Sequence, residues 1–207
     1  MKISAVILAA GFSTRMGVFK PLLPVAGVCA VVRCADAAHS AGASEIIVVT
    51  GHCSDKVVAA FTQNADCYVK FVHNARYPEG MFSSVCAGVA WLSPDIDGFF
   101  LLPADACAVS PENLAALIEA FAQNGGSSVV YPTHSNRRGH PPLIPAKFSS
   151  GILDYNGEGG LIGFLRHMPA VEVEMPDGGV LLDMDTPGDY ANLLAYFGIS
   201  DYPDVEH

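Results

Sequence analysis

The chain has 207 residues, is half hydrophobic (51%) and carries few charges (15%), which excludes a disordered or low-complexity protein. Its net charge of −10 excludes a broad cationic face for nucleic acid. It leaves room for a local polyphosphate site built from a few cations, backbone N–H groups and a divalent ion.

The first predicted element is the apolar run Ile3–Leu8. With Lys2 before it, the run resembles a short signal peptide. Arg15 and Lys20 follow too closely for that reading, and a buried parallel strand fits better. The segment "AAGFSTRMGVFK" follows the strand. A helix is predicted over Val28 to Ala41, stopped by Gly42. Next come a strand at Glu45 to Thr50 and a helix at Ser54 to Gln63, with Ser54 as cap and Asp55 in the first turn. A strand at Cys67 to Val72, a helix at Ser83 to Leu92 and a strand at Gly98 to Leu102 follow. Ser110-Pro111-Glu112 opens a helix that runs to Gln123, with cap, N1 proline and early acid in order. Ser127 to Tyr131 reads as another strand.

Strands alternating with helices up to residue 131 predict βαβ units. The fold class is therefore α/β, a Rossmann-like three-layer α/β/α arrangement around a mostly parallel sheet. Residues 132 to 160 are rich in Pro, Gly and Ser and predict loops and short elements. This loop-rich insertion, reaching about residue 170, belongs on the ligand side. Val171 to Glu174 and Val180 to Asp183 look like late strands, and Pro187 to Tyr196 like a closing helix. The whole, 1–207, reads as one domain. No segment approaches the ~20 apolar residues of a membrane span. The six cysteines (Cys29, Cys34, Cys53, Cys67, Cys86, Cys107) form no CxxC pair. Together these features predict reduced, buried thiols in a cytoplasmic protein that binds neither membrane nor nucleic acid.

Ligands of open α/β sheets sit beyond the carboxyl ends of the strands. Four such ends carry "AAGFSTRMGVFK", "HNARYPEGMFSSV", "PADACAVSPE" and "MDTPGD". They place two cations, Arg15 and Lys20, and two acids, Asp105 and Asp185, on one rim. A triphosphate with Mg²⁺ needs those parts: backbone donors, cations and hard carboxylate oxygens. Each residue also has a plainer use. Gly11 and Gly17 permit tight turns, Arg15 and Lys20 can be solvated, and Asp105 can shape a turn. Asp185 can cap a helix and Asp189 can serve as a first-turn acid. It is their joint placement that favours a site. The loop is neither GxxxxGK[ST] nor GxGxxG, Ser13 and Ser84 lack a GxSxG elbow, and the histidines show no ligand spacing.

The segments "LAAGFSTRMGVFKPLLPVAG", "GMFSSVCAG", "LPADACAVSP", "GHPPLI" and "LLDMDTPGDY" resemble, in order, the nucleotidyltransferases related to molybdenum-cofactor cytidylyltransferase and guanylyltransferase. The resemblance implies a nucleotide-diphospho-sugar transferase type of fold. It implies backbone contacts to the nucleotide from Leu8, Ala9, Ala10 and Gly11, and phosphate binding by Arg15 and Lys20. Gly80, Ser83 and Ser84 would lie near base and ribose, and Gly139 and His140 would border the acceptor. Asp105 and Asp185 would be ligands of Mg²⁺, the implied cofactor. Implied partners are a nucleoside triphosphate, a phosphorylated small-molecule acceptor such as the molybdopterin cofactor, and molybdoenzyme maturation proteins. "LAAG" leans towards CTP over GTP. The implied reaction moves CMP from CTP to the acceptor with release of pyrophosphate. Sugar-1-phosphate nucleotidyl transfer and a non-catalytic cofactor chaperone are the alternatives. Two departures stand out: "GEGGLI", 157 to 162, lacks the Ala-Arg pair of the family's "GDxGAR", and Cys86 stands where an arginine is common. Arg137, Arg138 and Arg166 are candidates to compensate.

Overall fold

The structure is a computed structural model that describes residues 1–61 and 69–199. The beginning of the strand predicted from Cys67 and the end of the helix predicted to Gln63 lie outside the described residues. The elements, in order, are β1 (Ile3–Ala9), β2 (Pro24–Val25), β3 (Val28–Cys29), α1 (Ala30–Ser40), β4 (Glu45–Thr50), α2 (Ser54–Phe61), β5 (Val69–His73) and α3 (Met81–Val89). Then come β6 (Gly98–Pro103), α4 (Pro111–Gln123), β7 (Val129–His134), β8 (Arg137–Arg138), β9 (Leu143–Pro145), α5 (Ser149–Asp154), α6 (Gly160–Leu165), β10 (Ala170–Glu174) and α7 (Pro187–Tyr196).

The principal sheet has the order β10-β7-β9-β6-β1-β4-β5, with β8 paired to β7. β1, β4, β5 and β6 are parallel, as are β7 and β10; β9 runs against both β6 and β7. From β1 the chain steps outward through β4 to β5, then returns through α3 to place β6 on the other side of β1. That reversal puts a crevice at the carboxyl ends of β1 and β6. The residues beyond those ends are "AGFSTR" and "ADA".

Three local differences from the expected elements have physical reasons. α1 starts at Ala30, because Val28–Cys29 pairs with Pro24–Val25 across a tight turn in which Ala26 and Gly27 both have positive φ (51° and 82°). α3 starts at Met81, just after Gly80 (φ 112°). The expected strand at Val180 is a 3₁₀ turn, Gly178–Leu181, because the Asp177 carboxylate accepts the Gly179 N–H at 2.8 Å and closes the chain on itself. β9 is three residues, Leu143-Ile144-Pro145, directly after Pro142, too short to show a period, yet it completes the sheet between β6 and β7. Ser110 caps α4 as expected, whereas Thr186 takes the place at α7 that Asp185 could have filled, and α2 begins at Ser54 itself. Ser110 and Thr186 each accept the N3 backbone N–H, and each is answered by the N3 side chain, Asn113 and Asp189 respectively.

Successive β1 residues feed opposite faces of the sheet. Ile3, Ala5 and Ile7 join the layer with α1, α4 and α7, while Val6 and Leu8 join the layer with α3, α5 and α6. Gly88 of α3 sits directly on this second face, where an added Cβ would stand 2.3 Å from Val6 Cγ1. Gly→Ala in a helix ordinarily stabilises by about 1 kcal/mol. Here overpacking reverses the sign, and Gly88→Ala is expected to destabilise by roughly 1–3 kcal/mol in a urea melt.

At the amino-terminal edge Glu45 accepts from Ser4 Oγ (2.9 Å), Ser93 Oγ (2.7 Å), Ser93 N–H (3.2 Å) and Lys70 Nζ (2.6 Å). Burial alone would raise its pKa, but Lys70, Ser93 and Ser4 outweigh it and hold the carboxyl at about 2. A depressed folded pKa gives stability that is present above the unfolded value of about 4.3 and lost as pH falls towards 2. Glu45→Gln is therefore expected to lower stability at pH 7 by roughly 1–3 kcal/mol, with the gap to wild type closing in melts at pH 2–3.

Of the described cysteines, Cys34 and Cys107 are buried, whereas Cys29, Cys53 and Cys86 are half-buried free thiols. Among the described residues no helix is long and apolar enough to cross a membrane.

Candidate active site

The loop after β1 is folded around Ser13. This residue takes positive φ (58°), and its carbonyl accepts from Met16 N–H (3.1 Å) and Gly17 N–H (3.2 Å). Its hydroxyl accepts from the Lys20 N–H at 3.0 Å. Met16 is buried and pins the loop to the core. Lys20 opens a 3₁₀ turn with Pro21 next to it, so its backbone is fixed from both sides. Across the crevice, Ala104 N–H donates to Leu8 O (3.1 Å) and Ala106 N–H to Pro103 O (3.1 Å), which presents Asp105 from the end of β6. Asp185 comes from the segment before α7. Thr186 takes the cap position there, which leaves the Asp185 carboxylate free of the helix end.

These pieces meet. Lys20 Nζ lies 2.5 Å from Asp105 Oδ2 and 2.9 Å from Asp185 Oδ1, and Arg15 Nη1 lies 2.7 Å from Asp185 Oδ2. Burial works against the Lys20 ammonium, but Asp105 and Asp185 outweigh it and its pKa is raised. Burial likewise pushes the Asp185 pKa up, and Lys20 and Arg15 pull it below the ordinary carboxylate range. Both groups are therefore charged at neutral pH. The two carboxylates offer hard oxygen ligands of the kind that Mg²⁺ takes one or two at a time beside substrate phosphates.

Asp183, a residue that the sequence reading passed over, lies outside the cleft lining but feels the charges of this cluster. Burial raises its pKa, and the charges of Asp185, Asp105 and Asp189 raise it further, against the pull of Lys20. The signal was available: in extended chain Asp183 and Asp185, two apart, share a face, and Met184 between them is fully buried.

The cleft has a volume of about 500 Å³. Its lining includes Leu8, Ala9, Ala10 and Gly11, then Arg15 and Lys20, then Gly80 and Ser84, and finally Asp105 and Asp185. Ser83 is adjacent but turned into the protein, where its hydroxyl lies 2.8 Å from Gly80 O and 2.9 Å from Arg76 O. Asn74, also unforeseen, organises this wall: its side-chain amide donates to Ser83 Oγ (2.9 Å) and Ser84 Oγ (3.0 Å), and its carbonyl accepts from Arg76 N–H. Gly139 and His140 stand outside the lining. Gly139 is required by its neighbour, since a Cβ there would lie 2.2 Å from Val180 O, and His140 N–H donates to that same carbonyl (2.8 Å). The protein packed around His140 lowers its pKa, opposed by Asp105 and Asp183.

Arg137, Arg138 and Arg166 do not line the cleft. Arg138 pairs with Glu172 (2.6 Å) and stacks on Tyr131, and Arg166 donates to His167 Nε2. The guanidinium that acts electrostatically on Cys86 is Arg76, held by Glu79 at 2.6 Å. Ile162, in the "GEGGLI" segment, is 79% exposed.

A mostly parallel sheet with this crossover places a cation pair facing an acid pair at its switch point, where open α/β sheets bind ligands. The chain belongs to the family of the MobA-like NTP transferase domain, which matches residues 5–173. It is 25% identical to the molybdenum cofactor cytidylyltransferase of Escherichia coli K12 over 189 residues, covering 91% of this chain and 93% of that protein. It is 31% identical to the bifunctional protein GlmU of Sorangium cellulosum over 176 residues, covering 83% of this chain but only 36% of GlmU, so it spans about a third of that relative's length. Among solved structures, the manganese complex of Rv0371c from Mycobacterium tuberculosis H37Rv superposes with a TM-score of 0.74 at 25% identity, covering 94% of this chain and 99% of that one.

Proposed function

We propose that the protein transfers CMP from CTP to a phosphorylated small-molecule acceptor of the molybdopterin class, with Mg²⁺ as cofactor and pyrophosphate as the second product. The observation that carries this reading is the bridge from Lys20 to Asp105 and Asp185, with Arg15 beside it, at the switch-point cleft. An acceptor phosphate oxygen forms a bond to the α-phosphorus as the bond from that phosphorus to the pyrophosphate oxygen breaks. Lys20 offsets charge on the α-phosphoryl oxygens, and Arg15 offsets it on the departing pyrophosphate. Leu8 to Gly11 offer backbone contacts to the nucleotide, and Gly80 and Ser84 face the nucleoside. Asp105 and Asp185 would hold Mg²⁺, which when bound supplies positive charge between the phosphate oxygens. Catalysis on this reading is positioning plus electrostatics. Support comes from the cytidylyltransferase relative, which is similar along nearly its whole length.

Transfer to a sugar 1-phosphate is the second reading, favoured by the likeness to GlmU and by Ile162 standing where the molybdopterin enzymes carry arginine. Pyrophosphate release with CTP, GTP and UTP, Mg²⁺ and each class of acceptor tests both. Turnover with CTP and a phosphorylated pterin is the expected result; turnover only with sugar 1-phosphates selects the second reading. Binding of nucleotide with no release for any acceptor would leave a carrier of nucleotide or cofactor.

A further inference from the structure

The cleft has two unlike halves. The charged half holds Arg15, Lys20, Asp105 and Asp185; the other is walled by Phe12, Tyr77, Pro78 and Met81. Phe12 sits on the same loop as Arg15 yet is 46% exposed. A single exposed aromatic is ordinary on a protein surface. This one is held in place. Its ring centroid is 5.0 Å from Tyr77 and 5.3 Å from His52, and His52 in turn lies 5.6 Å from Phe19. Tyr77 is itself seated by an absence: a Cβ on Gly51 would stand 2.7 Å from Tyr77 Cβ and Cγ, so the ring rests where only glycine leaves space. His52 is fixed as well, its N–H donating to Ala10 O at 3.1 Å. Three chain segments beyond β1, β4 and β5 thus combine to hold one aromatic face at the edge of the cleft.

If the cleft takes a nucleoside triphosphate, as proposed above, its ligand is bipolar too, with a triphosphate at one end and a planar base at the other. We infer that Phe12, backed by Tyr77 and His52, is the surface on which the base of the bound nucleotide stacks. The assignment to the base and not to the acceptor follows from topology. Phe12, His52 and Tyr77 lie at the β1–β4–β5 half of the sheet, whereas Gly139 and His140 lie between β8 and β9 on its other half, with Gly139 N–H donating to Pro132 O of β7. Stacking on an aromatic face is tolerant of base identity, so Phe12 contributes affinity for nucleotides in general, and the choice among bases rests with polar groups.

The test compares a ligand with a base and one without. Mg²⁺ complexes of CTP, GTP and UTP, and of inorganic tripolyphosphate, are titrated into wild-type, Phe12→Ala and Phe12→Trp proteins by calorimetry. Phe12→Ala is expected to weaken the best-bound nucleotide about tenfold or more while leaving tripolyphosphate within about twofold, and Phe12→Trp to keep nucleotide affinity near wild type. Equal weakening of nucleotide and tripolyphosphate would mean that the loop had collapsed, and would overturn the inference. So would unchanged nucleotide affinity in Phe12→Ala. Wild-type protein that binds neither ligand overturns the nucleotide reading itself, a result distinct from either of these.

Discussion

Lys20→Ala is expected to lower kcat/KM for pyrophosphate release by about 10²–10³, the usual loss when one preorganised donor to a developing phosphoryl charge is removed. The fold should survive. The Lys20 side chain bonds to Asp105 and Asp185, and neither acid is deeply buried, so water can solvate the carboxylates left behind. The backbone of Lys20 keeps its bond to Ser13 Oγ whatever the side chain. Lys20→Arg should not rescue, because a planar guanidinium cannot take the place of a compact ammonium held 2.5 and 2.9 Å from two carboxylates. A second readout needs no turnover. Lys20 competes for the oxygens offered to a metal, so the alanine variant should bind free Mn²⁺ more tightly than wild type in the absence of nucleotide, as read by electron spin resonance. Wild-type turnover in Lys20→Ala would falsify the assigned role.

Asp105→Asn should cost at least as much activity. The amide keeps the size of the side chain, and the turn that presents it is held by the Ala104–Leu8 and Ala106–Pro103 backbone bonds, so a melt should change little. What is lost is the charge that holds Lys20 from one side and the hard anionic oxygen that a divalent ion prefers. Asp189→Ala is the control. Asp189 lies a few residues from Asp185, but its carboxylate accepts from Thr186 N–H and Oγ at 2.8 and 2.7 Å. Its removal should cost about 1 kcal/mol of stability, as lost helix caps do, with turnover near wild type. Activity lost in Asp105→Asn but kept in Asp189→Ala separates site chemistry from general acidity of the rim.

Much of this architecture was legible in the chain. The strands Ile3–Ala9, Glu45–Thr50 and Gly98–Pro103 are nearly continuous apolar runs, because helices cover both faces of the sheet. The starts of α4 and α7 could be read from Ser110-Pro111 and Thr186-Pro187, since capping depends on residues three apart and on nothing distant. Short pieces were not legible. A three-residue antiparallel strand that follows one proline and ends in another has no period, and the turn at Val180 depends on a hydrogen bond from Gly179 to Asp177 that outweighs an apolar stretch looking like strand.

The same division runs through the site. The sequence by itself determined which residues stand where an element stops or starts: Arg15 and Lys20 after β1, Asp105 after β6 and Asp185 before α7. This is local information, carried by where an apolar run stops. Only the tertiary structure decided that Lys20 lies between the two acids, that Ser83 turns inward to its own loop, and that Arg138 and Arg166 are engaged elsewhere. It also decided that Phe12, His52 and Tyr77 converge, from three separate loops, on one aromatic wall. Those relations depend on the order of strands in the sheet and on close approaches such as Tyr77 over Gly51, which spacing along the chain does not encode.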